Sequence, residues 1–370
     1  MEKLTDICEI QYGYAFDSTC FTEDNSYPPL VRIRDVKRGY SETFYLGRYP
    51  EKYVVHNGDL LVGMDGEFNI ARWKSADALL NQRVCKLTAK EGNNEEYLRF
   101  AMVTALKNIE DKTAFVTVKH LSAKDLNKLE LEMPLLEEQN LRAERLLKLE
   151  KIIELRKKEI KWLEDLVKSR FVEMFGDPIT NTKGWKIEKA EKHIDLLSGF
   201  PFDSSQYTQY GVKICGGLII MPQRIDWNSC KYWSSTEDLE EYTLQEKDIV
   251  MALDRPWISE GFKIAMVDAD ELPALLIQRT ARIRAVDINQ YYLMHCFALG
   301  GFDIHCNVTG SLVPHISAKD IRSFPIMLPP IELQKKFAAF VEQIDKSKLL
   351  EWINLARKSF DLLHERICIW

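Results

Sequence analysis

A chain of 370 residues, 46% apolar and 29% charged, is long enough for two or three domains with cores of their own and too apolar to stay disordered. Its formal net charge of −6 excludes nucleic-acid binding by bulk charge and leaves room only for a local basic face. No apolar run approaches the roughly 20 residues that span a bilayer, and Met1–Asp6 has no apolar signal region, so a cytoplasmic protein without a membrane segment is expected.

Residues 1–133 read as a mixed α and β domain. Leu30–Val36 and Asp59–Val62 are apolar runs of strand length, Gly39, Gly58 and Gly66 mark turns, and Glu95–Asn108 has a helical period. Between residues 31 and 53, six cations (Arg32, Arg34, Lys37, Arg38, Arg48, Lys52) stand against three acids, with Tyr40, Phe44, Tyr45, Tyr49 and Tyr53 interleaved.

A long helix is expected over 134–178. From Glu137 to Phe175 there is neither proline nor glycine; Pro134 precedes the run, and Gly176 and Pro178 stop it. Leu146, Leu149, Ile153, Ile160, Leu163, Val167, Phe171 and Met174 recur in steps of three, four or seven, the seam of a helix that packs along another. Glu144–Lys148, Glu154–Lys158 and Glu164–Lys168 place a Glu four residues before a Lys on the solvated face. Ten cations against nine acids leave it nearly neutral, so it is a spacer of roughly 58 Å and not a DNA-gripping helix.

A second mixed domain follows over 179–328. The last segment, 329–370, is helical again, with Leu333, Phe337, Phe340, Ile344, Leu349, Ile353, Phe360, Leu363 and Ile367 apolar; its period slips near Ser347, which predicts a kink or break.

The second half repeats the first. Gly13-Tyr14-Ala15-Phe16-Asp17-Ser18 returns as Gly199-Phe200-Pro201-Phe202-Asp203-Ser204, and Gly58–Val62 is echoed by Lys247–Met251. Asp65 answers to Asp254, and Asn81-Gln82-Arg83 to Ile277-Gln278-Arg279. His120–Leu126 returns as His315–Ile321, and Met133-Pro134 with Glu137 and Gln139 as Leu328-Pro329 with Glu332 and Gln334. Five such pairs in register give the order domain, helix, domain, helix.

Catalytic signatures are missing. There is no Walker A loop, GxGxxG after a strand, HExxH or GxSxG, and no Asn/Asp-Pro-Pro-aromatic tetrad for amino-methyl transfer. Asp65 and Asp254 read as turn residues at strand ends ahead of catalytic carboxylates. The eight cysteines lack any CxxC spacing and read as reduced thiols; His295-Cys296 and His305-Cys306 lack zinc-site spacing. What remains is a binder. Arg and Lys suit phosphates, and Arg and Gln suit base edges through paired hydrogen bonds. The DNA-contact candidates are Arg32, Arg34, Lys37, Arg38, Gln82 and Arg83 in the first domain, and Gln223, Arg224, Lys231, Arg255, Lys263, Gln278 and Arg279 in the second. For any single cation the competing reading is a solvated surface charge; for the two Gln-Arg pairs it is a buried structural pair.

Met133-Pro134, Glu138-Gln139, Glu154-Leu155-Arg156-Lys157-Lys158, Leu166-Val167-Lys168-Ser169-Arg170-Phe171 and Met174-Phe175-Gly176-Asp177-Pro178 together resemble the central region of specificity subunits from type I restriction–modification systems. Residues 199–204 look like the opening of their target-recognition domains, and Ser311–Asp320 and Pro329–Gln334 like the close. The first copy departs in having Tyr14-Ala15 for Phe-Pro and one proline at 134. The resemblance implies two similar α/β target-recognition domains separated by long helices that pair as an antiparallel coiled coil. It further implies double-stranded DNA, two copies of a methylation subunit and a nuclease/translocase subunit as partners. No cofactor would belong to this chain, S-adenosylmethionine being carried by the methylation subunit. The competing expectation is a structural or regulatory protein with repeated peptide-binding domains on a coiled coil.

Overall fold

In the computed structural model, which describes residues 1–66, 68–112, 120–306 and 314–347, the uninterrupted run forms one helix, Leu136–Phe175, of 40 residues. It stops at Gly176, whose φ of +82° lies in the left-handed region that a side chain resists. The expected seam turns inward: Leu146 to Leu163 are half-buried, and Val167, Phe171 and Met174 are buried. On the solvated face Lys148 reaches Glu144 at 2.6 Å, whereas Lys168 lies 3.6 Å from Asp165. The chain divides into two compact units, Met1–Glu154 and Leu155–Trp370.

The first unit is built on a four-stranded antiparallel sheet in the order Cys8–Tyr12, Val84–Ala89, Leu60–Gly63, Asn69–Arg72. Leu60–Gly63 is buried along its whole length, which is why it reads as a continuous apolar run and not as an alternation. A smaller sheet sets Leu30–Val31 parallel to Ala78–Leu80, with Val54–Val55 antiparallel on the far edge. Helix Glu95–Lys112 packs on the larger sheet through Leu98, Met102 and Leu106, spaced by four and fully buried.

The second unit repeats this plan. Its sheet runs Ile194–Ser198, Thr280–Ala285, Ile249–Ala252, Ile264–Met266, and Val212–Cys215 pairs parallel with Ala274–Leu276. The sequence repeats are also repeats of hydrogen bonds. Gly13 donates to the Val84 carbonyl at 3.0 Å and Gly199 to that of Thr280 at 3.1 Å. The Ser122 hydroxyl caps Asp125 as that of Ser317 caps Asp320. Gln139, buried, accepts from the Asn94 N–H at 2.8 Å and donates to the Pro134 carbonyl at 2.8 Å. Gln334, equally buried, does the same to Asn289 at 2.9 Å and Pro329 at 2.8 Å. Each glutamine thereby joins the first turn of a long helix to the first turn of its domain's own helix.

One expectation fails locally. Of Leu30–Val36 only Leu30–Val31 is a strand; Ile33–Arg38 is a helix. Asp35 accepts from the Arg32 N–H at 2.9 Å and so caps the turn, and Gly39 at φ +79° ends it. The apolar/polar alternation of the run hid this cap.

Within the second unit the helix over 331–347 packs against the end of the long helix. Phe337 meets the rings of Phe171 and Phe175 at 5.4 and 5.5 Å, and Arg170 lies over Phe340. Partners step back along one helix as they step forward along the other, the antiparallel sense expected. A kink or break is expected near Ser347; the helix runs unbroken through Ser347, and Leu349, Ile353, Phe360, Leu363 and Ile367 lie outside the described residues. The Cys8, Cys85 and Cys296 thiols are free, and burial pushes each up to about 12, so they stay protonated. His295 is buried with Nδ1 2.7 Å from the Tyr291 carbonyl, and His305 Nε2 lies 3.2 Å from that of Asp320.

The tight approach at the repeated glycines is testable. A Cβ at Gly13 would run into the Asn81 carbonyl, and one at Gly199 into the Ile277 carbonyl. Backbone cannot rotate aside, so Gly13→Ala and Gly199→Ala are each expected to cost about 1–3 kcal/mol, read as a lowered melting midpoint. A midpoint that did not move would mean a looser approach than these contacts imply.

Candidate nucleic-acid interface

In the first unit the expected cations gather on one segment. Arg32, Arg34, Lys37 and Arg38 are exposed along Ile33–Arg38 and the residue before it, while Asp35 and Val36 face inward and are buried. The helix rests on strands Leu60–Gly63 and Asn69–Arg72, so its outward side chains have a firm support. Arg34 Nη2 donates to Thr43 Oγ1 at 3.3 Å, and Arg38 lies 3.6 Å from Glu42. Arg32 and Arg34 line an open cleft with Phe21, Asn25, Thr43 and Phe44. Guanidinium forks, an amide and aromatic edges in one cleft match phosphate oxygens and base edges.

The second unit mounts something else on the corresponding strands. A hairpin, Ile220–Met221 with Arg224–Ile225, packs on Ile249–Ala252 and Ile264–Met266. Its turn presents Gln223 and Arg224, both exposed; Gln223 takes φ +60°, and its N–H donates to the Ile264 carbonyl at 2.8 Å. Lys231 is exposed on strand Lys231–Trp233, and Arg255 is exposed at φ +46° with its N–H on the Pro314 carbonyl at 3.1 Å.

Lys263 departs from expectation. Its side chain is 5% exposed, its ammonium donates to the Gly217 carbonyl, and burial pushes its pKa down. It pins the base of the hairpin and offers nothing to a ligand outside. The sheet register, with the Ala252 N–H on the Lys263 carbonyl at 3.1 Å, carries position 263 along the buried strand pair, and a count of cations cannot see that.

Both Gln-Arg pairs are exposed, against the buried-pair alternative. The Gln82 N–H donates to Asn81 Oδ1 and the Gln278 N–H to the Phe200 carbonyl, both at 2.8 Å. Their arginines share a setting. Arg83 Nε lies 3.3 Å from Asp65 Oδ2, and His120 Nδ1 rests against the other oxygen of that carboxylate. Arg279 Nη1 is 2.8 Å from Asp254 Oδ2, and His315 Nδ1 is 2.6 Å from Asp254 Oδ1. Asp65 with His120, and Asp254 with His315, are also joined by backbone bridges. Burial raises the Asp254 pKa, but the hydrogen bonds from His315 and Arg279 outweigh it and hold the carboxyl below the usual carboxylate range. Asp65 and Asp254 do follow strand ends, as expected of turn residues. Their grip on an arginine, and any role for the two histidines, escaped the sequence reading. The signal was present, since all three residues recur at offsets of 189, 196 and 195.

A family model for the type I restriction modification DNA specificity domain matches residues 1–165 and 203–355. The chain is 43% identical over 145 residues to the type I restriction enzyme EcoBI specificity subunit of Escherichia coli, covering 39% of this chain and 31% of that protein. It is 24% identical over 375 residues to the MjaVIII specificity subunit of Methanocaldococcus jannaschii, covering 95% of this chain and 84% of that one. The chain thus spans about a third of the length of the E. coli relative and most of the archaeal one. A crystal structure of the type I restriction–modification S subunit from M. genitalium has a similar fold, with a TM-score of 0.54 at 14% identity over 99% of this chain and 93% of that one.

Proposed function

The chain belongs to the type I restriction modification DNA specificity family, and on that premise we propose that it reads a bipartite duplex target, one half with each unit. The paired helices then serve as the ruler between the halves, whose phase on a duplex repeats every 10–10.5 bp. Two copies of a methylation subunit bring S-adenosylmethionine and the methyl transfer, and a nuclease/translocase subunit joins for cleavage. This chain supplies recognition and no catalytic group, and works in the cytoplasm. No described helix is long and apolar enough to cross a membrane.

The observation that carries this reading is the contrast between the units. One sheet plan, twice built, bears an arginine-rich helix in the first unit and a Gln223–Arg224 turn in the second, on corresponding strands. Equal frames with unequal outward elements suit two readers of unequal half-sites. The long helix adds a place for a partner: Leu155, Trp162 and Leu166, spaced by seven and four, are 53%, 68% and 47% exposed on the side away from its seam.

The test is a domain exchange. With residues 1–133 replaced by the corresponding domain of a relative, and the methylation subunit co-expressed, mapping of methylated sites should show one half of the target replaced and the other half unchanged. Alteration of both halves would show that the units do not read independently. Absence of binding to any duplex at low salt, with the methylation subunit present, would remove DNA from the function altogether.

A further inference from the structure

We propose that the two Asp–Arg–His clusters are phosphate clamps: Arg83 and Arg279 grip the DNA backbone, and Asp65, His120, Asp254 and His315 are positioning residues that fix those guanidiniums. The inference rests on the reading of the chain as a DNA-binding subunit and divides the labour within its surface.

The division follows from what the two units share and what they do not. Segments that read different half-sites must differ, and those mounted on the corresponding strands do: Ile33–Arg38 in one unit and the Gln223–Arg224 turn in the other. The clusters instead recur with the same three residue types, the same carboxylate bridging Arg and His, and the same backbone bridge from Asp to His. A group that is the same in both readers cannot distinguish their sequences. It fits what every duplex presents alike, the phosphates, whose contacts fix register without carrying sequence.

The geometry suits that role. The Arg83 and Arg279 side chains are 50% and 75% exposed although one edge of each guanidinium lies on a carboxylate. A guanidinium has five N–H groups; with one edge on the carboxylate, and Arg83 Nη1 also 3.4 Å from His120 Nδ1, each fixed fork still has N–H groups left for phosphate oxygens. Each arginine is the last residue of the turn that joins two sheet strands, Ala78–Leu80 to Val84–Ala89 and Ala274–Leu276 to Thr280–Ala285, and Arg279 holds φ +64° there. Each aspartate stands just beyond the end of the neighbouring strand. The fork is therefore aimed by the frame common to both units.

The experiment uses the full chain assembled with its methylation subunit, a cognate duplex, and a set of duplexes each changed at one base pair. Arg83→Ala and Arg279→Ala are expected to weaken binding to every duplex by one common factor, on the order of tenfold, and to reduce the slope of log K against log salt by about 0.9 each. Arg83→Lys should restore the slope and only part of the affinity. Asp65→Asn should weaken binding with the slope unchanged, and should have no further effect once Arg83 is Ala, since a positioning group acts only through what it positions. Arg34→Ala and Arg224→Ala should instead penalise particular base pairs. The clamp is overturned if Arg83→Ala changes the ranking of duplexes at one base pair, if the salt slope stays put, or if Asp65→Asn and Arg83→Ala add. If the unaltered complex binds no duplex at all, the DNA-reading function itself falls, and the clamp with it.

Discussion

Phe337→Ala is expected to lower the melting midpoint of the second unit by about 10 °C. Phe337 is fully buried, edge-on to Phe171 and Phe175 and 5.0 Å from the His295 ring. Truncating a buried Phe costs about 3–5 kcal/mol, the transfer of the ring plus the cavity it leaves. In a unit of this size each kcal/mol moves the midpoint by roughly 2–4 °C. The hole cannot close easily. Phe171 is stacked on Tyr292 at 5.6 Å, and the Tyr292 hydroxyl donates to the Met327 carbonyl at 3.0 Å, so the neighbours are fixed from behind. Cys296, 4% exposed, belongs to the same core, and its modification by a thiol reagent should quicken in the variant. Calorimetry and thiol labelling check both; a shift below about 2 °C would mean that the two helices are not joined through this ring.

Four residues inserted after Lys157 should lengthen the recognised spacer by one or two base pairs and leave both half-sites as they are. The insertion adds about 6 Å of helix and turns the downstream part of the helix by about 40°. Along a duplex 6 Å is close to two base pairs at 3.4 Å each, and 40° is close to one base-pair step. Lys157 is exposed between the half-buried Ile153 and Ile160, and an insertion of four locally unwinds a paired helix without destroying its seam. Methylated-site mapping reads spacer and half-sites together. An unchanged spacer at full activity would place the ruler elsewhere in the assembly.

The long helix and the repeat were legible because each rests on signals that survive tertiary context. The helix shows as 39 residues without a breaker, and the repeat as motifs such as His120–Leu126 whose capping serine and aspartate do the same local work twice. The helix Ile33–Arg38 was missed because its Asp35 cap sits inside an alternating pattern, and local capping outranked alternation. Lys263 was misplaced because exposure follows from sheet register, which pairs residues far apart in sequence. The arginine candidates at 83 and 279 were found as residue types. Their carboxylate neighbours stand past strand ends 18 and 25 residues before them and their imidazole neighbours 37 and 36 residues after, and only the fold brings them together.

Gln139 and Gln334 carry a mechanical meaning beyond their hydrogen bonds. Each bolts the first turn of a long helix to the first turn of the helix inside its domain, through an amide that is 2% or 3% exposed. A junction fastened this way leaves little room for a hinge, so torque applied to the helix arrives at the domain instead of dissipating in a loose joint. On the proposed reading of a bipartite duplex, half-sites out of phase would load that joint elastically and be rejected by stiffness. Loosening the bolt, as Gln139→Ala would, turns a rigid calliper into a compliant one, and tolerance for wrong spacers should widen before affinity for the right one is lost.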